Sequence, residues 1–151
     1  MLKLSRKTLY ALEAVVDIAF NARAEPVQSK EITRRQGIPQ RYLEQVMQQL
    51  VRSGILKGVR GPRGGYLLAR ERRRVTVGEI VRVIAAMEES GEGSGYGSES
   101  TMGLKVIAPL LDDIHEDMMA RLDSVTIDDM CTEASSQSVP RESRDRIDFT
   151  I

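Results

Sequence analysis

The chain has 151 residues, 41% hydrophobic and 29% charged, and its net charge of zero conceals a split. Residues 1–74 carry 16 Lys/Arg against 6 Asp/Glu, a balance of +10, and residues 75–151 carry 6 against 16, a balance of −10. This length builds one buried core with an appended element, no apolar run is long enough to span a bilayer, and one cysteine and one histidine exclude an intramolecular disulfide and disfavour an ordinary zinc site.

A lone cysteine also suits a reducing cytoplasm. No apolar stretch followed by a small-residue cleavage site stands near the N-terminus, so no export signal is expected. The basic half is suited to a polyanion, and nucleic acid is the natural partner.

In chain order, residues 4–25 place Leu9, Leu12, Val15, Val16, Ala19 and Phe20 at steps of three and four. That spacing predicts an amphipathic helix with Ser5 as N-cap, ended by Pro26. Residues 27–37 predict a short helix begun by Ser29 and closed at Gly37. Pro39 then serves as the first residue of a second helix, with Leu43, Val46, Met47, Leu50 and Val51 on one face and Gly54 as its stop. Two short helices joined through a glycine-containing turn form a helix-turn-helix pattern.

"ILKGVRG" and "GGYLLAR", bridged by "GPRGG", predict a β-hairpin with a basic tip. Thr76 with Glu79 has capping-box spacing, and the helix it opens, residues 76–89, buries Val77, Ile80, Val81, Ile84 and Met87. Residues 90–103 hold 9 Gly or Ser in 14 and predict a flexible loop. Beyond it, Leu104, Ile107, Leu111, Ile114, Met118 and Leu122 form a helical stripe suited to pairing with a second copy. A short helix follows to residue 133, and residues 134–151 are expected to be a disordered tail.

The polar face of the second helix offers Gln40, Arg41, Glu44, Gln45, Gln48, Gln49 and Arg52. In a major groove Arg can read guanine, Gln adenine and Glu cytosine. Arg34 and Arg35 on the preceding helix are expected to touch phosphates. At the hairpin tip Arg60 and Arg63 would reach DNA, with Gly61 and Gly64 allowing close approach. A nucleotide-cradling loop fits poorly, since no lysine–serine/threonine follows the glycines and the order is hairpin rather than strand–loop–helix. Helix-turn-helix plus basic hairpin is a winged-helix domain, mainly α with a small β-hairpin wing, over residues 1–89.

The stretches "LYALEAVVDIA", "EITRRQGIPQRYLEQVMQQLVRSGIL", "VRGPRGGYLLAR" and "TVGEIVRVI" resemble the Rrf-two family of bacterial winged-helix regulators. The likeness runs nearly without gaps over residues 1–89 and more weakly through 104–131. It implies a cytoplasmic homodimer on a palindromic operator, a transcriptional regulator rather than an enzyme, probing DNA bases with Arg41, Tyr42 and Glu44 and the minor groove with Arg60. A small molecule or a metabolic enzyme could serve as effector. Members that bind iron–sulfur clusters carry three cysteines in the loop before the dimerisation helix, where this chain has none. Clusters are held by thiolates, so no cofactor is expected. An atypically ligated cluster using Cys131 or His115 is the alternative. Asp128, Asp129 and Glu133 should raise the Cys131 thiol pKa, and His115 is expected at the solvent edge of the long helix.

Overall fold

A computed structural model describes residues 4–21, 25–89 and 99–141. Helix α1 spans Arg6–Asn21, and the Ser5 hydroxyl accepts the Thr8 backbone N–H at 3.2 Å, the expected N-cap. Its buried face is centred on Ala11, Val15 and Ile18. Leu9, two residues before Ala11, lies roughly opposite on a 3.6-residue helix and is exposed, outside the stripe to which spacing assigned it.

Helix α2 spans Ser29–Gln36, starting one residue earlier than a Ser29 cap requires, with Gln28 as the cap. The Gln28 backbone N–H donates to Glu31 Oε2 at 2.9 Å instead. Gly37 closes the helix at φ +68°, the left-handed conformation glycine adopts without a Cβ penalty. Helix α3 spans Gln40–Arg52, with Pro39 as the cap rather than the first helical residue. Leu43, Val46, Met47 and Leu50 are buried, whereas Val51 faces solvent.

Strands β1 (Leu56–Val59) and β2 (Gly65–Leu68) pair antiparallel, Leu56 opposite Leu68 and Val59 opposite Gly65. The segment before α2 adds a rung. Val27 N–H donates to Tyr66 O at 3.0 Å and Tyr66 N–H to Val27 O at 2.8 Å. That bridge ties the hairpin to the helix-turn-helix, so the two cannot move independently without losing backbone bonds.

Helix α4 spans Val77–Glu89 behind the expected capping box: Glu79 N–H to Thr76 Oγ1 and Thr76 N–H to Glu79 Oε2, both 3.2 Å. Helical structure resumes at Thr101, inside the stretch expected to be loop. It passes through one π-helical turn, Gly103–Ile107, into α5, Ala108–Asp123. Residues 90–98 of the expected loop lie outside the described residues.

Helix α6 spans Ile127–Ser136, beyond residue 134 where a tail was expected. A helix continues there because Ala134 packs on the core, and Arg141 lies 4.3 Å from the Phe20 ring centroid. Residues 142–151 of that tail lie outside the described residues. Thr126 and Asp129 form a second capping box. Val77 N–H to Val125 O and Ile127 N–H to Val75 O, each 2.9 Å, stitch the start of α6 to the start of α4. Ile127 and Cys131 thereby join one core with Ile18, Leu43, Ile80 and Ile84. Each such fully buried Ile or Leu contributes about 1.5–3 kcal/mol.

Candidate nucleic-acid interface

Helix α3 presents its first turns outward. Gln40, Arg41, Glu44 and Gln45 are exposed and Tyr42 is half-buried. The Gln40 amide is held at both ends: its Oε1 accepts from Thr33 Oγ1 at 3.0 Å and its Nε2 donates to Glu44 Oε1 at 3.1 Å. This relay from α2 limits the rotamers of Glu44 before any ligand arrives, which lowers the entropy cost of a contact. Arg41 stacks 5.1 Å from the Tyr42 ring centroid and its Nη2 donates to Tyr42 Oη at 3.3 Å. Tyr42 in turn meets Tyr10 of α1, with ring centroids 6.0 Å apart.

Of the two α2 arginines expected at phosphates, Arg34 is exposed and Arg35 is not available. Arg35 turns inward and donates Nε and Nη2 to the Asp17 carboxylate at 2.9 and 2.8 Å. Gln36 Nε2 adds a third bond to Asp17 at 2.8 Å. Asp17 sits on the buried face of α1, where a charge must be paired, and spacing along the sequence gave no sign of that demand.

At the hairpin tip Arg60 and Arg63 are exposed, and among the described residues neither has a carboxylate partner. A groove of about 540 Å³ runs between the hairpin and the start of α2, bordered by Gln28, Lys30, Val59, Arg60 and Tyr66. Gln28 Nε2 reaches Pro62 O across it at 3.4 Å. Gln28 and Lys30 were missed in the sequence; their place at the start of the first helix of a helix-turn-helix was the available signal.

The tip glycines have an internal reason to be glycine. Gly61 sits at φ +113°, which side chains of L-residues rarely adopt. A Cβ on Gly64 would overlap the Val59 carbonyl oxygen, and one on Gly65 the Val27 carbonyl. Gly64 therefore shapes the wing itself, a reason for glycine that is independent of any approach to DNA.

The long helix divides its apolar residues. Met118 and Leu122 pack against the chain's own core and Leu111 is half-buried. Leu104, Ile107 and Ile114 are exposed, joined by Met102, Val106 and Leu110, which the stripe omitted. The π turn inserts an extra residue per turn, so a three-four count begun at Leu104 drifts off the exposed face.

Cys131 is buried in α6, and burial pushes its thiol above the ordinary value. The nearby Asp128 adds to that, and Arg72 opposes it. Burial, not the neighbouring carboxylates, is thus the leading cause. His115 is half-buried rather than at the solvent edge, lining a small cavity with Leu4, Thr8, Val81, Glu88 and Met118. Among the described residues no three His, Cys, Asp or Glu side chains come together as metal ligands. One buried, protonated thiol in the whole sequence does not fit a thiolate-held cluster.

No helix among the described residues is long and apolar enough to cross a membrane. A family model described as "Rrf2: Iron-dependent Transcriptional regulator" matches residues 4–133. The HTH-type transcriptional regulator IscR of Escherichia coli O1:K1 is 38% identical over 96 residues, covering 64% of this chain and 59% of that protein. The chain thus matches little more than half the length of that relative. Among solved structures, T. potens IscR superposes with a TM-score of 0.73 at 36% identity, covering 93% of each chain. CymR of B. subtilis, described as the global cysteine regulator, gives 0.66 at 28% identity, covering 88% of this chain and 98% of the other.

Proposed function

The chain belongs to the Rrf2 family of transcriptional regulators, and from that premise we propose that it binds duplex DNA sequence-specifically as a homodimer and represses transcription from a palindromic operator. Helix α3 enters the major groove, where Arg41, Glu44 and the flanking Gln40 and Gln45 meet base edges. Arg60 at the wing tip reaches the adjacent minor groove, and Arg63 supplies a second cation there. The observation that carries this reading is the pairing of an exposed, preorganised α3 N-terminus with a wing whose cations have no carboxylate partner among the described residues.

The exposed apolar side chains of Met102, the π turn and α5, namely Met102, Leu104, Val106, Ile107, Leu110 and Ile114, form the face that a second copy covers. Residues 1–89 act as the DNA-binding unit, and residues 104–133 supply the dimer contact and the α6 buttress. The protein works in the cytoplasm without a conventional iron–sulfur cluster, since the thiolates that would hold one are lacking.

Selection of bound sequences from a random duplex library tests the reading. An inverted repeat with half-sites about 34 Å apart, or a multiple of it, is expected. Enrichment of an asymmetric motif would overturn the homodimer, and no enrichment would overturn sequence-specific binding.

A further inference from the structure

Among the described residues several arginines are matched to carboxylates, including Arg35 with Asp17, Arg70 with Glu79, Arg72 and Arg73 with Asp128, Arg74 with Glu71, and Arg82 with Asp123. Among the described residues Arg6 and Lys7, in the first turn of α1, have no carboxylate partner. Unmatched cations that share a face with a recognition helix are the pattern expected of a polyanion contact, because intramolecular pairing would compete with the ligand.

The placement is specific. Arg6 and Tyr10 are four residues apart and Lys7 and Tyr10 three apart, so all three share one helical face. The Tyr10–Tyr42 ring contact sets that face beside the first turn of α3. Between them lies a cavity of about 310 Å³ bordered by Ser5, Arg6, Lys7, Tyr10, Tyr42 and Glu88. Glu88, the one carboxylate among those residues, accepts the Ser5 hydroxyl at 2.5 Å, and Arg41 lies over the Tyr42 ring, 5.1 Å from its centroid.

We propose that Arg6, Lys7 and Tyr10 form a phosphate site, additional to the helix-turn-helix and wing, that grips the DNA backbone along the edge of the groove α3 enters. The two cations neutralise the phosphate and the Tyr10 hydroxyl donates to one of its oxygens. A contact there would set the tilt of α3 in the groove, since Tyr10 and Tyr42 move together. The proposal rests on the DNA-binding reading above.

The test measures the affinity of the full chain for a fluorescein-labelled mixed-sequence duplex across about 50–200 mM salt. In the Arg6→Gln, Lys7→Gln variant the slope of log K against log salt should fall by at least about 0.9 per bound protomer. The charge-conserving variant Arg6→Lys, Lys7→Arg should keep the wild-type slope, and both should unfold at the wild-type temperature. Unchanged slope in Arg6→Gln, Lys7→Gln, with Arg60→Ala still lowering it, would overturn the site and leave DNA binding standing. An equal loss per charge in Arg121→Gln on α5 would assign the effect to net charge and overturn the site. A wild-type chain that binds no duplex at all would overturn the DNA-binding reading, and the site with it.

Discussion

Arg35 and Asp17 form a two-pronged ion pair in which the Asp17 side chain is 0% exposed and the Arg35 side chain 14%. The pair pins α2 to α1, and Gln36 completes the satisfaction of the carboxylate. Removing one partner leaves a buried charge unmatched. Arg35→Ala should therefore lose about 3–5 kcal/mol of stability, read by urea unfolding. Its DNA salt slope, measured below the unfolding transition, should stay at the wild-type value, because Arg35 holds a helix rather than a phosphate.

Glu44 is the residue through which sequence preference should be altered. Its carboxylate is exposed yet held by Gln40, which is itself held by Thr33. Glu44→Ala should relax discrimination at one base position by about 1–3 kcal/mol and leave folding within about 0.5 kcal/mol. Binding to duplexes varied one position at a time checks this; unchanged discrimination would remove Glu44 from base reading.

The wing glycines make a separable prediction. Gly64→Ala drives a methyl group into the Val59 carbonyl. Relieving that overlap requires the β1–β2 turn to shift, at a cost of about 1–3 kcal/mol. Backbone amide exchange should accelerate in residues 56–68 while the buried amides of α1 keep their protection. Uniform loss of protection would instead mean that the wing folds as one unit with the helices.

Cys131 titrates with a definite sign. Burial raises its thiol pKa in the folded chain above the ordinary 9.0, so the folded form keeps the proton to higher pH than the unfolded one. The stability this contributes is complete below the ordinary thiol value and is lost as pH rises through the folded value. Unfolding free energy should decline on the alkaline side, and Cys131→Ala should flatten that decline. At neutral pH an aromatic disulfide reagent should label the wild-type thiol only as fast as the chain opens.

The Arg82–Asp123 contact has the opposite sense. The Arg82 guanidinium hydrogen-bonds Asp123 and holds its carboxyl below the ordinary value. The stability it adds is present above the ordinary carboxylate range and lost as pH falls through the folded value. Asp123→Asn should shrink the acid-side loss of stability without moving the alkaline limb. The gain is small, because the pair is open to solvent.

Much of this protein was determined locally. The Ser5 cap, the Thr76–Glu79 capping box, the Gly37 stop and the antiparallel wing rest on residues within a few positions of one another. Hydrophobic spacing and turn chemistry therefore exposed them, as they did the helix-turn-helix with Gln40, Arg41, Glu44 and Gln45 on its outer face. What spacing could not supply were relationships between residues distant in the chain. Arg35 looked like a phosphate contact until Asp17, 18 residues earlier, proved to need it. That the Val59 carbonyl fills the space beside Gly64 was likewise not written in the spacing of the glycines. Met118 and Leu122 carry the same periodicity as Leu104 and Ile107, yet the first pair packs on the chain's own core, where α5 meets α4, while the second stays exposed. Period names the apolar face of a helix; only the tertiary arrangement decides which turns of that face find cover within the chain, because burial depends on what packs opposite.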